Sequence, residues 1–165
     1  MSKEMTPMEA AAAKHPGLSE QRDFVSVTIA DQLFGIPVLQ VQDVLGPQRI
    51  TRIPLAPSEV AGSLNLRGRI VTAIDIRTRL GLPQRPESKQ AMSVVVDHGG
   101  ELYSLLVDTV GEVLSLDGRD AERNPATLDP VWREVSAGIY RLDGTLLVVL
   151  DVARVLDFST RAAAA

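Results

Sequence analysis

From residue 24 onward the apolar positions fall mostly into period two, the spacing of a strand with one buried face. Residues 24–29 read Phe, Val, Ser, Val, Thr, Ile. Asp31 and Gln32 can turn, and Leu33, Phe34 and Ile36 resume the apolar series, which predicts two strands joined by a tight turn. The order recurs at residues 93–97, a turn over His98-Gly99-Gly100, and residues 102–106. Residues 70–74 and 146–150 are apolar runs short enough for buried strands, and each leads into an aspartate, Asp75 or Asp151, and then a brief helical pattern ending at Leu80 or Leu156. Both aspartates are predicted to accept hydrogen bonds from first-turn amides, while Arg77, Arg79 and Arg154 stand nearer the negative end of each helix.

Laid side by side, the two stretches agree at a constant offset of 69 positions: Phe34 falls on Tyr103, Ile36 on Leu105, Val41 on Val110, Asp43 on Glu112 and Val44 on Val113. Farther on the offset is 76, with Gly62 on Gly138, Gly68 on Gly144, Ile70 on Leu146, Asp75 on Asp151 and Leu80 on Leu156. One insertion of seven residues within 115–137 reconciles the offsets. The chain thus reads as one β unit written twice, at approximately 24–80 and 93–156, within a folded part spanning 23–158. The expected fold is all-β: curled antiparallel sheets forming two small barrels, which share an apolar seam because neither alone has much core to bury.

The remaining segments read as connections. Residues 1–22, rich in Ala, Glu and Lys and broken by Pro7, Pro16 and Gly17, are expected to form a mobile tail with a transient helical turn at 10–14, and 159–165 a second tail. Residues 117–130, with Gly118, Asn124, Pro125 and Pro130, read as a long loop. Pro37 interrupts an apolar segment and is expected on an edge or at a bulge. Trp132 is expected to cover an open barrel end, with a partner-facing role as the alternative.

Composition narrows the function. The 17 basic and 21 acidic side chains give a formal charge of -4, the wrong sign for a general nucleic-acid binder, and no basic stripe reverses it. Cysteine is absent, which removes disulfides, thiolate nucleophiles and sulfur-ligated metals and fits a reducing compartment. Apolar runs fall far short of the roughly 20 residues of a membrane helix. A cytoplasmic protein with no direct membrane insertion is expected. His15 and His98 have no companion at metal-ligand spacing, phosphate-cradling glycine motifs are missing, and Asp75, Asp108 and Asp151 each have a local reading as a cap or strand-end residue. No enzyme and no cofactor is expected.

Two constellations remain. Residues 65–68, Asn-Leu-Arg-Gly, place Arg67 beside an apolar strand, where its planar fork of donors suits protein recognition; equally, Asn65 and Gly68 can be turn residues and Arg67 a solvated or internally paired charge. Val41 and Val44, with Val110 and Val113 at the repeat positions, suit either the seam between barrels or an exposed apolar groove.

The ordered set Phe34-Gly-Ile36, Val41-Gln-Asp-Val44, Ile50-Thr-Arg-Ile-Pro54, the segment from Gly62 to Gly68, Asp75-Ile-Arg77, Val107-Asp-Thr-Val110 and Leu114 resembles the signature of the CheW family, from Phe24 to about Leu156. The resemblance implies two five-stranded SH3-like barrels around a hydrophobic seam. It also implies a non-enzymatic adaptor that joins the regulatory domain of the CheA histidine kinase to the cytoplasmic tips of methyl-accepting chemoreceptors, recruited to membrane-associated arrays that can hold further CheW copies. Carried over by position, the receptor contacts implied are Val41, Asp43, Val44, Gly62, Arg67, Met92 and Val113. Thr72 stands where the family usually has proline, and Met92 where it often has a β-branched residue. A CheW-like adaptor of a non-flagellar pathway and a small-ligand sensor are the competing readings; the sensor would need a polar pocket where dry valines and leucines are expected.

Overall fold

The computed structural model describes residues 20–158, so the expectations for the terminal tails lie outside the described residues, except that the first strand already begins at Gln21. Ten strands follow in chain order: β1 (Gln21–Ile29), β2 (Gln32–Pro37), β3 (Val41–Leu45), β4 (Val60–Leu66), β5 (Arg69–Asp75), β6 (Met92–His98), β7 (Glu101–Val107), β8 (Thr109–Asp117), β9 (Ser136–Leu142) and β10 (Thr145–Leu150). Three short helices accompany them: α1 (Ile76–Arg79), α2 (Pro130–Val135) and α3 (Val152–Val155). Asp75 and Asp151 cap α1 and α3, accepting from the amides of Arg77 at 3.0 Å and Arg154 at 3.2 Å.

The repeat governs the topology in a way the sequence pattern does not reveal. The chain forms two five-stranded sheets ordered β8-β1-β2-β10-β9 and β3-β6-β7-β5-β4. Replacing each strand of the first sheet by its repeat mate (β1 by β6, β2 by β7, β8 by β3, β9 by β4, β10 by β5) reproduces the second. Neither sheet comes from one repeat: each takes two strands from one copy and three from the other. The exchange creates one parallel pair per sheet, β2 with β10 and β5 with β7, where an antiparallel sheet was expected.

In each sheet the chain leaving one edge strand returns to the other edge. Thr51, beyond β3, exchanges both backbone hydrogen bonds with Ser63 of β4, and Glu122, beyond β8, does the same with Ile139 of β9. This curls both sheets and pairs part of their open edges. Gly62 and Gly138 sit where those crossings press closest: a Cβ on Gly62 would lie 2.2 Å from the Thr51 carbonyl oxygen, and one on Gly138 2.9 Å from that of Glu122.

The seam is apolar and continuous. Val25, Val27, Phe34, Ile36 and Val148 of the first sheet belong to the same buried cluster as Ile74, Val94, Val96, Leu105 and Val107 of the second. Each sheet also has its own smaller core, Phe24, Tyr140, Leu147 and Val149 in one and Leu64, Val71, Ala73 and Leu106 in the other. Arg79 locks the two terminal helices together, its buried guanidinium donating to the Val155 and Arg154 carbonyls at 2.9 Å each.

Other expectations meet the structure as follows. The first hairpin turns over Ala30 and Asp31, both left-handed, one residue earlier than Asp31-Gln32. Pro37 ends a central strand and is not on an edge; it still pairs with Phe24 of β1, but the parallel ladder with β10 stops at Gly35, so on that side the strand has no partner at its proline. The segment 117–130 is not all loop: it holds a 3-10 turn at Gly118–Asp120 and leads into α2, capped by Asp129 with Pro130 at its start. Trp132 on α2 packs 5.5 Å from Phe34, ring to ring, and donates its indole N–H to the Leu80 carbonyl, covering the end of the shared core.

Candidate protein-interaction surface

Arg67 stands at the first central position of the β4–β5 turn with φ 52°, followed by Gly68 at φ 85°. A left-handed backbone is routine for glycine and disfavoured for arginine, so the surroundings must hold it. Two contacts do so. The Asn65 side-chain oxygen accepts from the Gly68 amide at 2.9 Å, and the Arg67 guanidinium donates to the Asp43 carboxylate of β3 at 3.0 Å. The two edge strands of the second sheet thus meet through this ion pair, while the Arg67 side chain remains 75% exposed. Gly62, behind the turn on β4, is buried and gives the Thr51 crossing its space.

The valines divide. Val41 and its mate Val110 are half-buried against the central core and belong to the seam. Val44 and its mate Val113 are 39% and 57% exposed. Both are apolar side chains on solvent-facing positions of edge strands. Met92 opens β6 one residue before Ser93, the register partner of Leu45, and packs against the core. Among the residues named from the resemblance, Asp43 and Arg67 touch; Val113 lies on the other sheet, related to Val44 by the repeat.

Leu39, Ile53 and Leu55 are exposed apolar side chains that the sequence reading did not single out, and Ile70, expected within a buried strand, is 71% exposed at the start of β5. Leu39, 97% exposed, occupies the 3-10 turn Val38–Gln40 between β2 and β3. The sequence did hold a signal for it, because its position in the repeat is that of Asp108, and a leucine where the other copy has an aspartate must lie in different surroundings.

Asp108 itself is the most strongly linked carboxylate among the described residues. It accepts from Arg77 through both oxygens at 3.0 and 2.6 Å, from Arg85 at 3.0 Å and from the Ala30 amide at 2.8 Å. Burial alone would raise its pKa, but the hydrogen bonds from Arg77, Ala30 and Arg85 outweigh it and hold the carboxyl at about 2. The same pairing raises Arg77, and burial pushes the Tyr140 hydroxyl up. These are structural ties: both oxygens of the carboxylate are engaged by hydrogen bonds from Arg77, Arg85 and the Ala30 amide. Among the described residues no group of three or more His, Asp or Glu could hold a metal ion, and no helix is long and apolar enough to cross a membrane.

An exposed valine next to an ion-paired arginine, Val44 beside the Asp43–Arg67 pair, suits binding another protein, and comparison with known proteins agrees. The CheW-like domain model matches residues 23–159. The chain is 27% identical over 153 residues to the chemotaxis protein CheW of Rhizobium meliloti, covering 93% of this chain and 98% of that protein. It is 28% identical over 148 residues to that of Klebsiella aerogenes, covering 90% and 89%. Among solved structures it resembles the scaffolding protein TtCheW from Thermoanaerobacter tengcongensis, with a TM-score of 0.74, 29% identity, and coverage of 82% of this chain and 92% of that one. Its paired five-stranded sheets are therefore the SH3-like subdomains of that fold, and the chain belongs to the CheW family, whose members are scaffolds and not enzymes.

Proposed function

We propose that this protein couples methyl-accepting chemoreceptors to a CheA-type histidine kinase, acting in the cytoplasm at membrane-associated receptor arrays. The observation that carries this reading is Arg67, held in a disfavoured backbone conformation by Asp43 with its guanidinium still open to solvent, one residue along β3 from exposed Val44. Strain kept at an exposed polar side chain is characteristic of a recognition site. The receptor tip, a helical hairpin, would lay apolar side chains on Val44 and take orientation from the Arg67 fork. Gly62, Val41 and Met92 support that surface from behind, and Val113 offers a related apolar position on the other sheet.

The kinase regulatory domain occupies a separate face, so one chain bridges two partners, and further copies of the chain can extend the array. Apolar burial contributes about 25 cal/mol per Å² before association costs, so modest contacts give weak pairwise affinity that a lattice of repeated contacts reinforces. Control of the kinase then arises from where its domains are held.

Co-sedimentation with receptor cytoplasmic fragments and the kinase regulatory domain tests the reading. Arg67→Ala should weaken receptor capture about tenfold or more while leaving kinase-domain capture and thermal stability nearly unchanged. Undiminished receptor capture by Arg67→Ala would remove Arg67 from the surface, and a wild-type protein that captures neither partner would overturn the proposal.

A further inference from the structure

The first sheet carries an open groove of about 780 Å³, within the size range of small-molecule sites. Buried Phe24, Tyr140 and Val149 form its floor, and exposed Arg22, Asp23 and Leu39 its edge. Two of these residues are left wanting an acceptor. Tyr140 is only 3% exposed, yet its hydroxyl has no hydrogen-bond partner among the described residues, a costly state for a buried donor. The Arg22 guanidinium, in turn, makes no ion pair or hydrogen bond among the described residues. The two donors are neighbours: burial pushes the Tyr140 hydroxyl up, and the Arg22 charge is the next influence on it, acting in the opposite sense. The carboxylates around them are already engaged. Asp23 accepts from the Ser115 hydroxyl at 2.6 Å, Asp151 caps α3 and lies 3.6 Å from Arg154, and Asp117 is held by Arg119 at 2.8 Å.

The second repeat shows that the fold asks for neither donor. The offsets of 69 and 76 put Ala91 in the place of Arg22 and Leu64 in that of Tyr140. The floor changes with them, Ser93 standing for Phe24 and Ala73 for Val149, and exposed Leu39 gives way to Asp108, gripped by Arg77 and Arg85. Leu64 is buried in its own sheet's core, so the place of Tyr140 is filled there by a side chain with no hydroxyl. Guanidinium, hydroxyl, aromatic floor and exposed leucine therefore occur together on one sheet and are replaced together on the other, as the parts of a single site would be.

We propose that this groove binds a small apolar acid, a monocarboxylate of the medium-chain fatty-acid class, with its carboxylate between Arg22 and the Tyr140 hydroxyl and its chain laid over Phe24 and Val149 against Leu39. The carboxylate supplies the acceptor that both donors lack, and a charge-assisted hydrogen bond is about twice as strong as a neutral one. Arg22 has no side-chain tie to break among the described residues, so it can shift as a ligand oxygen takes the bond from the hydroxyl. Leu39, 97% exposed, gains apolar cover from the chain. Asp23, Asp117 and Asp151 repel a second negative charge, which sets a monocarboxylate above a phosphate ester. None of the residues proposed to face the receptor lines this groove, so the inference is independent of the receptor-coupling proposal.

Titration of the isotopically labelled full-length protein with sodium octanoate at constant ionic strength, followed through its amide signals, tests the proposal. Signals of Phe24, Leu39, Tyr140 and Val149 should move together and saturate with a single Kd of about 1 mM or below. Tyr140→Phe keeps the ring and removes only the donor, so it should weaken octanoate binding about tenfold while leaving thermal stability unchanged or higher. Arg22→Gln, at an exposed position, should weaken it about threefold. Octylammonium, with the same chain and the opposite charge, should bind about tenfold more weakly than octanoate or worse. Absence of a saturable shift, equal binding of octylammonium, or undiminished octanoate binding by Tyr140→Phe would each overturn the proposal. So would a loss of stability in Tyr140→Phe, because it would show the hydroxyl to be bonded already.

Discussion

In the first sheet Phe24 and Tyr140 meet edge to face, ring centroids 5.6 Å apart, over Leu147 and Val149. Their repeat mates in the second sheet are Ser93, Leu64, Val71 and Ala73, so the same four positions enclose far less side chain. A neighbouring position adjusts. Gly35 stands beside Phe24, and its mate in the second sheet is the larger Ser104. The junction between second and third strands differs in kind, with an exposed leucine in one copy and a carboxylate gripped by two arginines in the other. The contrast shows which features the architecture demands twice and which it leaves free. The crossing glycines, the capping aspartates and the buried β-branched residues of the seam recur; the filling of each sheet's own core and the polarity of its junction do not.

The sharpest way to break this comparison is at the crossings. A Cβ at Gly62 would lie 2.2 Å from the Thr51 carbonyl oxygen, on a backbone with φ 152° that L residues rarely adopt. Gly62→Ala should therefore destabilise by about 4 kcal/mol, since backbone must move and the Thr51–Ser63 bridge must part. At Gly138 the corresponding approach is 2.9 Å, and Gly138→Ala should cost about 2 kcal/mol. Urea titrations of both variants measure the difference, and equal losses would show that closeness of the crossing is not what requires glycine.

The junctions come next. Asp108→Asn keeps the shape but leaves Arg77 and Arg85, both largely buried, without their counter-charge, at a cost of about 2–3 kcal/mol near neutral pH. The pH dependence has a definite sign. The Asp108 carboxyl titrates at about 2 in the folded protein against 3.8 ordinarily, so its contribution is complete above pH 4 and is lost as pH falls toward 2. That difference corresponds to about 2 kcal/mol. Wild-type stability should fall over this window by that much more than the stability of Asp108→Asn does. Leu39→Asp at the mate position should change stability by less than about 0.5 kcal/mol, because the side chain is already in solvent.

How far the sequence foretold these differences depends on their range along the chain. Strands, hairpin turns and the Asp75 and Asp151 caps follow from neighbours within a few residues, and the offsets of 69 and 76 exposed the repeat. The exchange of strands between copies was hidden, because periodicity says which strands are equivalent and nothing about which of two equivalent edges a strand will join. The brief helix α2 was overlooked although Asp129-Pro130 carries a start signal. At the candidate surface the motif around Arg67 was legible, but its meeting with Asp43 spans 24 positions and needed the curled sheet. The ambiguity of the valines could only be resolved by packing, which buries Val41 against the core and leaves Val44 outside.

The smallest effects separate the two sheet interiors. A Cβ at Gly35 would come within 3.2 Å of both the Phe24 Cβ and the Leu147 side chain. The Phe24 Cβ is fixed to a strand paired on both sides, so it cannot yield freely, and Gly35→Ala should cost about 1 kcal/mol by overpacking. Ser104 fills the same position opposite a smaller neighbour, and its hydroxyl is fully buried without a hydrogen-bond partner among the described residues. Ser104→Ala removes an unpaired polar atom and little volume, so it should stabilise by up to about 1 kcal/mol. Opposite signs at repeat-equivalent positions, read from paired thermal melts, are what compensated volume requires. If both alanines shift the midpoint the same way, the interiors respond to β-propensity alone and the exchange of bulk between Phe24 and Gly35 has no energetic content.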